Sequence, residues 1–311
     1  MPLSADLEQL AARVSNWGRW GAGDQRGTLN LITPVAVLRG VAAARNGRVF
    51  SLALPFDQSG PQWDTVHMPE RTNPELHTHT VNVSFTGDTR DFTTSDDSFR
   101  MGSQAVTHWD ALSHVGYDGK LYNDTPNGVV SADGGATRLG IEQFGPIVTR
   151  GVLLDVARVH GVEYFDDNYA VTGDDLDAAA ALAGVDIAAG DAVLVRTGHM
   201  HFLRAGDRQR YSFPAPGLST RSIEWLRDHD IAAVATDTMT FEVYPCEDPK
   251  VFMPVHMIQL RDMGLAQGQN WNLDDLAADC AADGQHDFLL VAPPLPLTGA
   301  VGAPVVPIAV K

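Results

Sequence analysis

The chain has 311 residues, 44% of them hydrophobic, which is enough for one large domain or two medium ones with a well-buried core. A formal net charge of −17 argues against nucleic acid or an anionic membrane as partner, since either would repel so acidic a surface. The only cysteines, Cys246 and Cys280, have no CxxC spacing, which excludes a disulfide framework and fits a reducing cytoplasm. The opening MPLSADLEQLAARVSNWGRW lacks a basic region followed by an apolar one, and no window of about 18 apolar residues occurs to span a bilayer. A cytoplasmic protein with no membrane anchor is expected.

In chain order, 4–15 and 34–46 carry apolar residues at helical spacing, the second with Thr33 as N-cap and Pro34 at the first helical position. Strand-like runs follow at 48–54 and 79–85, separated by a polar stretch longer than a plain connection needs. From 151 the pattern alternates: GVLLDV, TGDDLDAAAALAG, DAVLVRTG, STRSIEWLRDHD and IAAVATD read as strand, helix, strand, helix and strand. Asp175 and Ser219 are candidate helix starts, Gly184 and Gly190 candidate stops. HDFLLVAPPL and GAPVVPIAV close the chain as strand candidates, the latter suited to an edge because of its prolines. The simplest account is one α/β domain over 1–311, with 1–47 a helical and loop-rich extension.

The chemistry concentrates in QAVTHWDALSH. Gln104, His108, Asp110 and His114 share parity, so an extended segment would turn all of them to one face, whereas a helix would set His108 and Asp110 about 200° apart. Imidazole nitrogens with a carboxylate suit zinc or manganese. The bland alternative is a surface hydrogen-bonding cluster. Against it, Ala105, Val106, Ala111, Leu112 and Val115 look like core, where an unpaired charge is costly.

THWDALSH resembles the signature of the metal-dependent cyclase and kynurenine formamidase family, which reads H-x-G-T-H-x-D-x-P-x-H. The likeness extends in family order through 16–32, 190–198, Pro216-Gly217-Leu218, 234–237, PVH at 254–256 and 294–310, nearly the whole chain. It implies a kynurenine formamidase-like α/β fold of the swivelling β/β/α type, with a mixed central sheet and flanking helices. The family's central His and Asp fall on His108 and Asp110, its terminal histidine, a general acid or base, on His114, and its distal histidine on His256. Gln104 stands where the family has its first ligand histidine, and Gln269, in GQNWNL, where it has a glutamate. Both exchanges replace strong ligands by neutral amides, so one divalent ion, manganese or zinc, is expected in place of two, held by Gln104, His108, Asp110, His256 and Gln269.

The resemblance further implies a hydrolase for an amide, lactam, formamide or lactone of a small cyclic or aromatic molecule, and a homodimer or homotetramer. A ring-closing cyclase or dehydratase, or a binding protein that keeps the fold without catalysis, are the alternatives. His199 and His201 follow a strand end, and Trp109 and Trp271 adjoin motif residues. His199, Trp109 and Trp271 are therefore candidate substrate contacts, with core packing the competing role for the tryptophans. Glu242 and Asp237 are candidate partners of a metal-bound histidine, and His77 with His79 reads better as a polar sheet edge than as a ligand pair. His67, His160, His229 and His286 read as surface residues. No glycine-rich dinucleotide turn and no G-x-S-x-G elbow occurs.

Overall fold

A computed structural model describes residues 3–63 and 69–311 of the chain, so the expectation for His67 lies outside the described residues. Nine strands form the main sheet: β1 (Val49–Ser51), β2 (His108–Asp110), β3 (Val148–Asp155), β4 (Ala192–Arg196), β5 (Ala233–Thr236), β6 (Ala266–Gln269), β7 (Asp287–Val291), β8 (Gly302–Pro304) and β9 (Ile308–Val310). Their spatial order is β1-β9-β7-β3-β4-β5-β6-β2-β8. The centre, β3-β4-β5-β6, is parallel, as strand–helix alternation demands, and the flanking pairs are antiparallel.

GAPVVPIAV is not one strand. Its halves become β8 and β9, seven places apart in the sheet order and joined by Val305, Val306 and Pro307. In a flat sheet they would stand about 34 Å apart at ~4.8 Å per strand, yet the chain from Pro304 to Ile308 reaches at most roughly 14 Å. The sheet therefore curls until its edges approach each other.

Period-two alternation assigns the two faces. Leu153, Leu194, Ala235, Phe288, Leu290 and Ala309 turn into the curl with Trp109 and Trp271. Val152, Leu154, Val193, Val195 and Val234 turn outward onto the helices. Small residues make the interior fit: a Cβ on Gly151 would lie 2.3 Å from the Phe288 ring.

The helices follow their local signals. Pro34–Ala43 starts on Thr33, whose side chain accepts from the Ala36 amide, and it lays Ala36, Gly40 and Ala43 on the sheet. A Cβ at Gly40 would come within 2.6 Å of the Thr149 carbonyl carbon, so the close approach requires glycine. Gly173–Ala183 begins on Thr172, with Asp175 as the reciprocal partner in a capping box and not the cap itself, and stops at Gly184. Gly190, the other expected stop, sits in the turn before β4. Outside the main sheet, Glu75–Ser84 and Thr93–Arg100 form a two-stranded ribbon whose second strand the sequence reading did not anticipate. Among the described residues no helix is long and apolar enough to cross a membrane.

Candidate functional site

The extended part of the motif is shorter than parity suggested: only His108–Asp110 is strand, and turns on both sides carry Gln104 and His114. His108 and Asp110 share the outer face of β2, while Trp109 between them points into the curl. Next door on β6, Gln267 lies opposite Asp110 and Gln269 opposite His108.

Hydrogen bonds orient each group. His108 Nδ1 donates to the Val106 carbonyl at 2.6 Å, which leaves the Nε2 lone pair free. That Nε2 and Asp110 Oδ1 are buried, 3.5 Å apart, and neither has a hydrogen-bond partner among the described residues. Asp110 Oδ2 accepts from Gln269 Nε2 at 2.7 Å and from Gln267 Nε2 at 3.3 Å. Burial opposes charge on Asp110, but His114, His108 and His256 together hold its carboxyl well below the usual carboxylate range.

His256 enters from the outer layer, at the end of the short helix Pro254–His256, just before a π-helical stretch over Met257–Met263. Its Nδ1 donates to Glu242 Oε1 at 2.5 Å, and the same carboxylate accepts the backbone N–H groups of Val255 and His256. This fixes the tautomer with Nε2 unprotonated, and that nitrogen accepts from Gln269 at 3.2 Å. Gln269 thus bridges Asp110 and His256.

His114 Nε2 lies 3.8 Å from Asp110 Oδ1, and its Nδ1 is 3.3 Å from Gln104 Nε2. Gln104 Oε1 in turn accepts from Ser103. Gln104 therefore touches His114, and no bond joins it to His108 or Asp110, which departs from its expected place among the ion's ligands. Burial pushes the His114 imidazole below its ordinary value, with Asp110 opposing and Arg71, His256 and His108 adding to the shift.

Do these groups fit a divalent ion? Among the described residues no three His, Cys, Asp or Glu side chains already converge as a cage. The fit rests instead on the two orphaned atoms. Ligands sharing one ion at ~2.1 Å stand about 3.0–3.5 Å from each other, and the His108 Nε2 to Asp110 Oδ1 separation of 3.5 Å matches that. A buried lone pair and a buried carboxylate oxygen with nothing to bond are expensive unless a cation serves both. His114 lies at ion-pair distance from Asp110, Gln269 bonds its other carboxylate oxygen, and His256 is joined to it through Gln269.

Several expected contacts are placed elsewhere. Trp109 and Trp271 are fully buried core residues, edge-to-face at 4.9 Å, with Trp109 Nε1 donating to Ala292 O; neither faces the polar side of β2. His199 is also fully buried: its Nε2 donates to the Tyr211 carbonyl at 3.1 Å, its ring packs between Phe202 and Tyr211, and burial with Arg210 lowers its pKa to about 4. Its neighbour His201 stacks on Tyr164. Asp237 caps Thr197 and Gly198 and bonds no histidine among the described residues. His286, read as a surface residue, is buried, while His77 and His79 are exposed on the ribbon.

Two participants were not foreseen. Gln267 has a sequence signal, because AQGQ puts Gln267 and Gln269 on one face of a strand. Arg71 has none. It reaches the site because its stem packs on Gly102, where a Cβ would meet Arg71 Cα at 2.8 Å, and its partly buried guanidinium acts on the charges of both Asp110 and His114.

The comparisons agree with this architecture. Residues 50–243 match the family described as "Putative cyclase". A crystal structure described as a novel cyclase is 35% identical and superposes with a TM-score of 0.87 over 97% of this chain and 99% of its own. Isatin hydrolase A from Ralstonia solanacearum, 21% identical, superposes at 0.62 over 89% of this chain and 97% of its own. A predicted metal-dependent hydrolase from Bacillus stearothermophilus, 19% identical, does so at 0.53 over 85% and 98%. No curated protein matches the sequence. The family match over most of the chain, together with the 35% identical relative, establishes that this chain belongs to the cyclase family and has its mixed α/β fold.

Proposed function

We propose that the protein is a metal-dependent hydrolase that opens an amide, lactam, formamide or lactone bond in a small cyclic or aromatic molecule in the cytoplasm, using one divalent ion, manganese or zinc. The observation that carries this reading is the orphaned pair of His108 Nε2 and Asp110 Oδ1. Solved structures described as isatin hydrolases and as a predicted metal-dependent hydrolase support it. When bound, such an ion polarises a carbonyl and makes water more acidic.

The chain's own groups divide the remaining work. His108 and Asp110 hold the ion, with His256 and Gln269 beside them to complete the set, and Glu242 keeps His256 in the ligating tautomer. His114, with its side chain partly open to solvent, carries the proton between water and leaving group, and Gln104 orients its ring. Arg71 adds positive charge beside the Asp110 and His114 side chains, where an oxyanion or carboxylate product would form.

The test combines metal content with product analysis. Purified protein dialysed against manganese or zinc should retain one ion per chain, Asp110→Asn should lose it, and His114→Ala should keep it while turnover of isatin, a formanilide or an aryl lactone falls about 100-fold or more. Oxygen from labelled water should enter the product; its absence would point to ring closure instead. Wild-type protein that holds no ion and melts identically with and without chelator sinks the proposal. Loss of the ion from His114→Ala would make His114 a ligand.

A further inference from the structure

Arg71 is held more firmly than a surface arginine needs to be. Its stem packs on Gly102, where a Cβ would come within 2.8 Å of Arg71 Cα, and the Gly102 amide donates to the Thr72 carbonyl at 3.1 Å. One residue on, Asn73 and Gln62 exchange two hydrogen bonds of 3.0 Å, and Gln62 Nε2 donates to the Ala105 carbonyl at 2.8 Å. The Ala105 amide in turn donates to the Gly102 carbonyl, and between the two lies Gln104, the partner of His114. Residues 71–73 are thereby tied to the turn that carries Gln104, and the Arg71 backbone is fixed at the rim of the candidate site.

The guanidinium itself has nothing comparable. Among the described residues no carboxylate stands within ion-pair distance of it, although the chain has 39 acidic side chains to 22 basic ones. Arg261, in the layer outside the same site, is by contrast matched by Asp262 at 2.6 Å and stacked on Tyr117. The acid that acts on Arg71 is Asp110, and that carboxylate already accepts from Gln267 and Gln269 on one oxygen and turns the other to His108 and His114. Partial burial without a counter-charge is costly for a group with five N–H donors, and a carboxylate is the partner that its planar fork fits.

The charges of the site point to the same partner. With Gln104 and Gln269 neutral, the acids at the site are Asp110 and Glu242, which offset a divalent ion and leave the Arg71 charge uncompensated. A substrate that arrives with one negative charge cancels it, whereas a neutral substrate covers the guanidinium without replacing the water it displaces. We propose that Arg71 selects substrates that carry a carboxylate apart from the bond to be opened, so that the natural substrate is an acid-bearing amide, formamide or lactone. This rests on the hydrolase reading above and adds the anionic class to it.

Two measurements on the zinc-loaded protein test this. Calorimetric titration reads binding without turnover: benzoate should bind the wild type, and Arg71→Gln should raise its dissociation constant about 10-fold or more. Arg71→Lys, which keeps the charge but not the fork, should fall between the two. Benzyl alcohol, the same ring without the charge, should distinguish the three proteins far less. In turnover, at least one of the 2-, 3- and 4-formamidobenzoates should exceed formanilide in kcat/KM through a lower KM, and Arg71→Gln should reduce that preference about 10-fold or more. Circular dichroism and metal content report that both variants are folded and loaded. Benzoate that fails to bind the wild type, or binds all three proteins equally through the ion alone, overturns the proposal, as does a wild type that prefers formanilide to every acid. Metal content of the same samples separates the two readings: a wild type that holds no ion sinks the hydrolase, and benzoate binding that still depends on Arg71 leaves the anion site standing.

Discussion

Asp110 is the residue on which the polar groups converge, because β6 places Gln267 opposite it and Gln269 two residues along, both donating to its carboxylate, and the helix ending at His256 reaches Gln269 from the outer layer. The spacing of His108 and Asp110 was legible from sequence, since two residues on one strand face share a side whatever lies around them. The same rule, applied one position on, puts Trp109 on the opposite face; adjacency in sequence is a poor guide to adjacency in a strand. Glu242 carries the residue-level prediction. Glu242→Gln preserves volume and one acceptor oxygen but removes the charge that holds His256 Nδ1–H at 2.5 Å. Titration of the dialysed protein with manganese or zinc should show affinity 10–100-fold weaker with an unchanged melting profile in chelator. Equal affinity would remove His256 from the ion.

At the level of elements, the helices were easier to read than the strands. Thr33-Pro34 and Thr172 with Gly184 are local capping chemistry, sufficient by itself to start or end a helix. The ribbon was half-missed because TTSDDSFR has no apolar face to alternate: among the described residues it pairs with Glu75–Ser84 and is otherwise largely exposed, so the period-two signal of a half-buried strand is absent. The turns that bring His114 to Asp110 and Gln104 to His114 are likewise tertiary products, set by Gly102 against Arg71 and by the Ala111 carbonyl accepting from the His114 amide. β2 itself is three residues long and depends on its inward side chain for its position. Trp109→Ala should cost about 3–5 kcal/mol in denaturant unfolding, because the ring is fully buried against Trp271 and its Nε1 bond to Ala292 is lost. Unchanged stability, with catalysis alone impaired, would return Trp109 to the substrate side.

For the whole molecule, the curl was the least legible feature, because nothing in GAPVVPIAV says that Pro304 and Ile308, four apart in sequence, belong to strands near opposite ends of one sheet. Enclosure has an electrostatic consequence that can be measured. His199 is packed neutral, with Nδ1 unpartnered among the described residues, and its pKa is lowered to about 4 from an ordinary 6.5, chiefly by burial. The unfolded chain takes up a proton at this histidine near pH 6.5 and the folded chain does not, so the stabilisation is complete above 6.5 and is lost as pH falls from 6.5 towards 4. At ~1.4 kcal/mol per unit, this one side chain should remove about 2 kcal/mol between pH 7 and pH 5. Asp237 and Asp262, both raised to about 6 mainly by burial, act in the other direction, since they take up protons in the folded state first. The net slope of the wild type therefore identifies no single group, and the comparison with a variant is needed. His199→Gln keeps an amide donor for the Tyr211 carbonyl and cannot titrate. It should be less stable than wild type at pH 7, through lost packing on Phe202 and Tyr211, and the gap should narrow by about 2 kcal/mol at pH 5. A gap that stays constant with pH would mean that His199 is protonated as readily in the folded chain as in the unfolded one, and that this part of the interior is open to water.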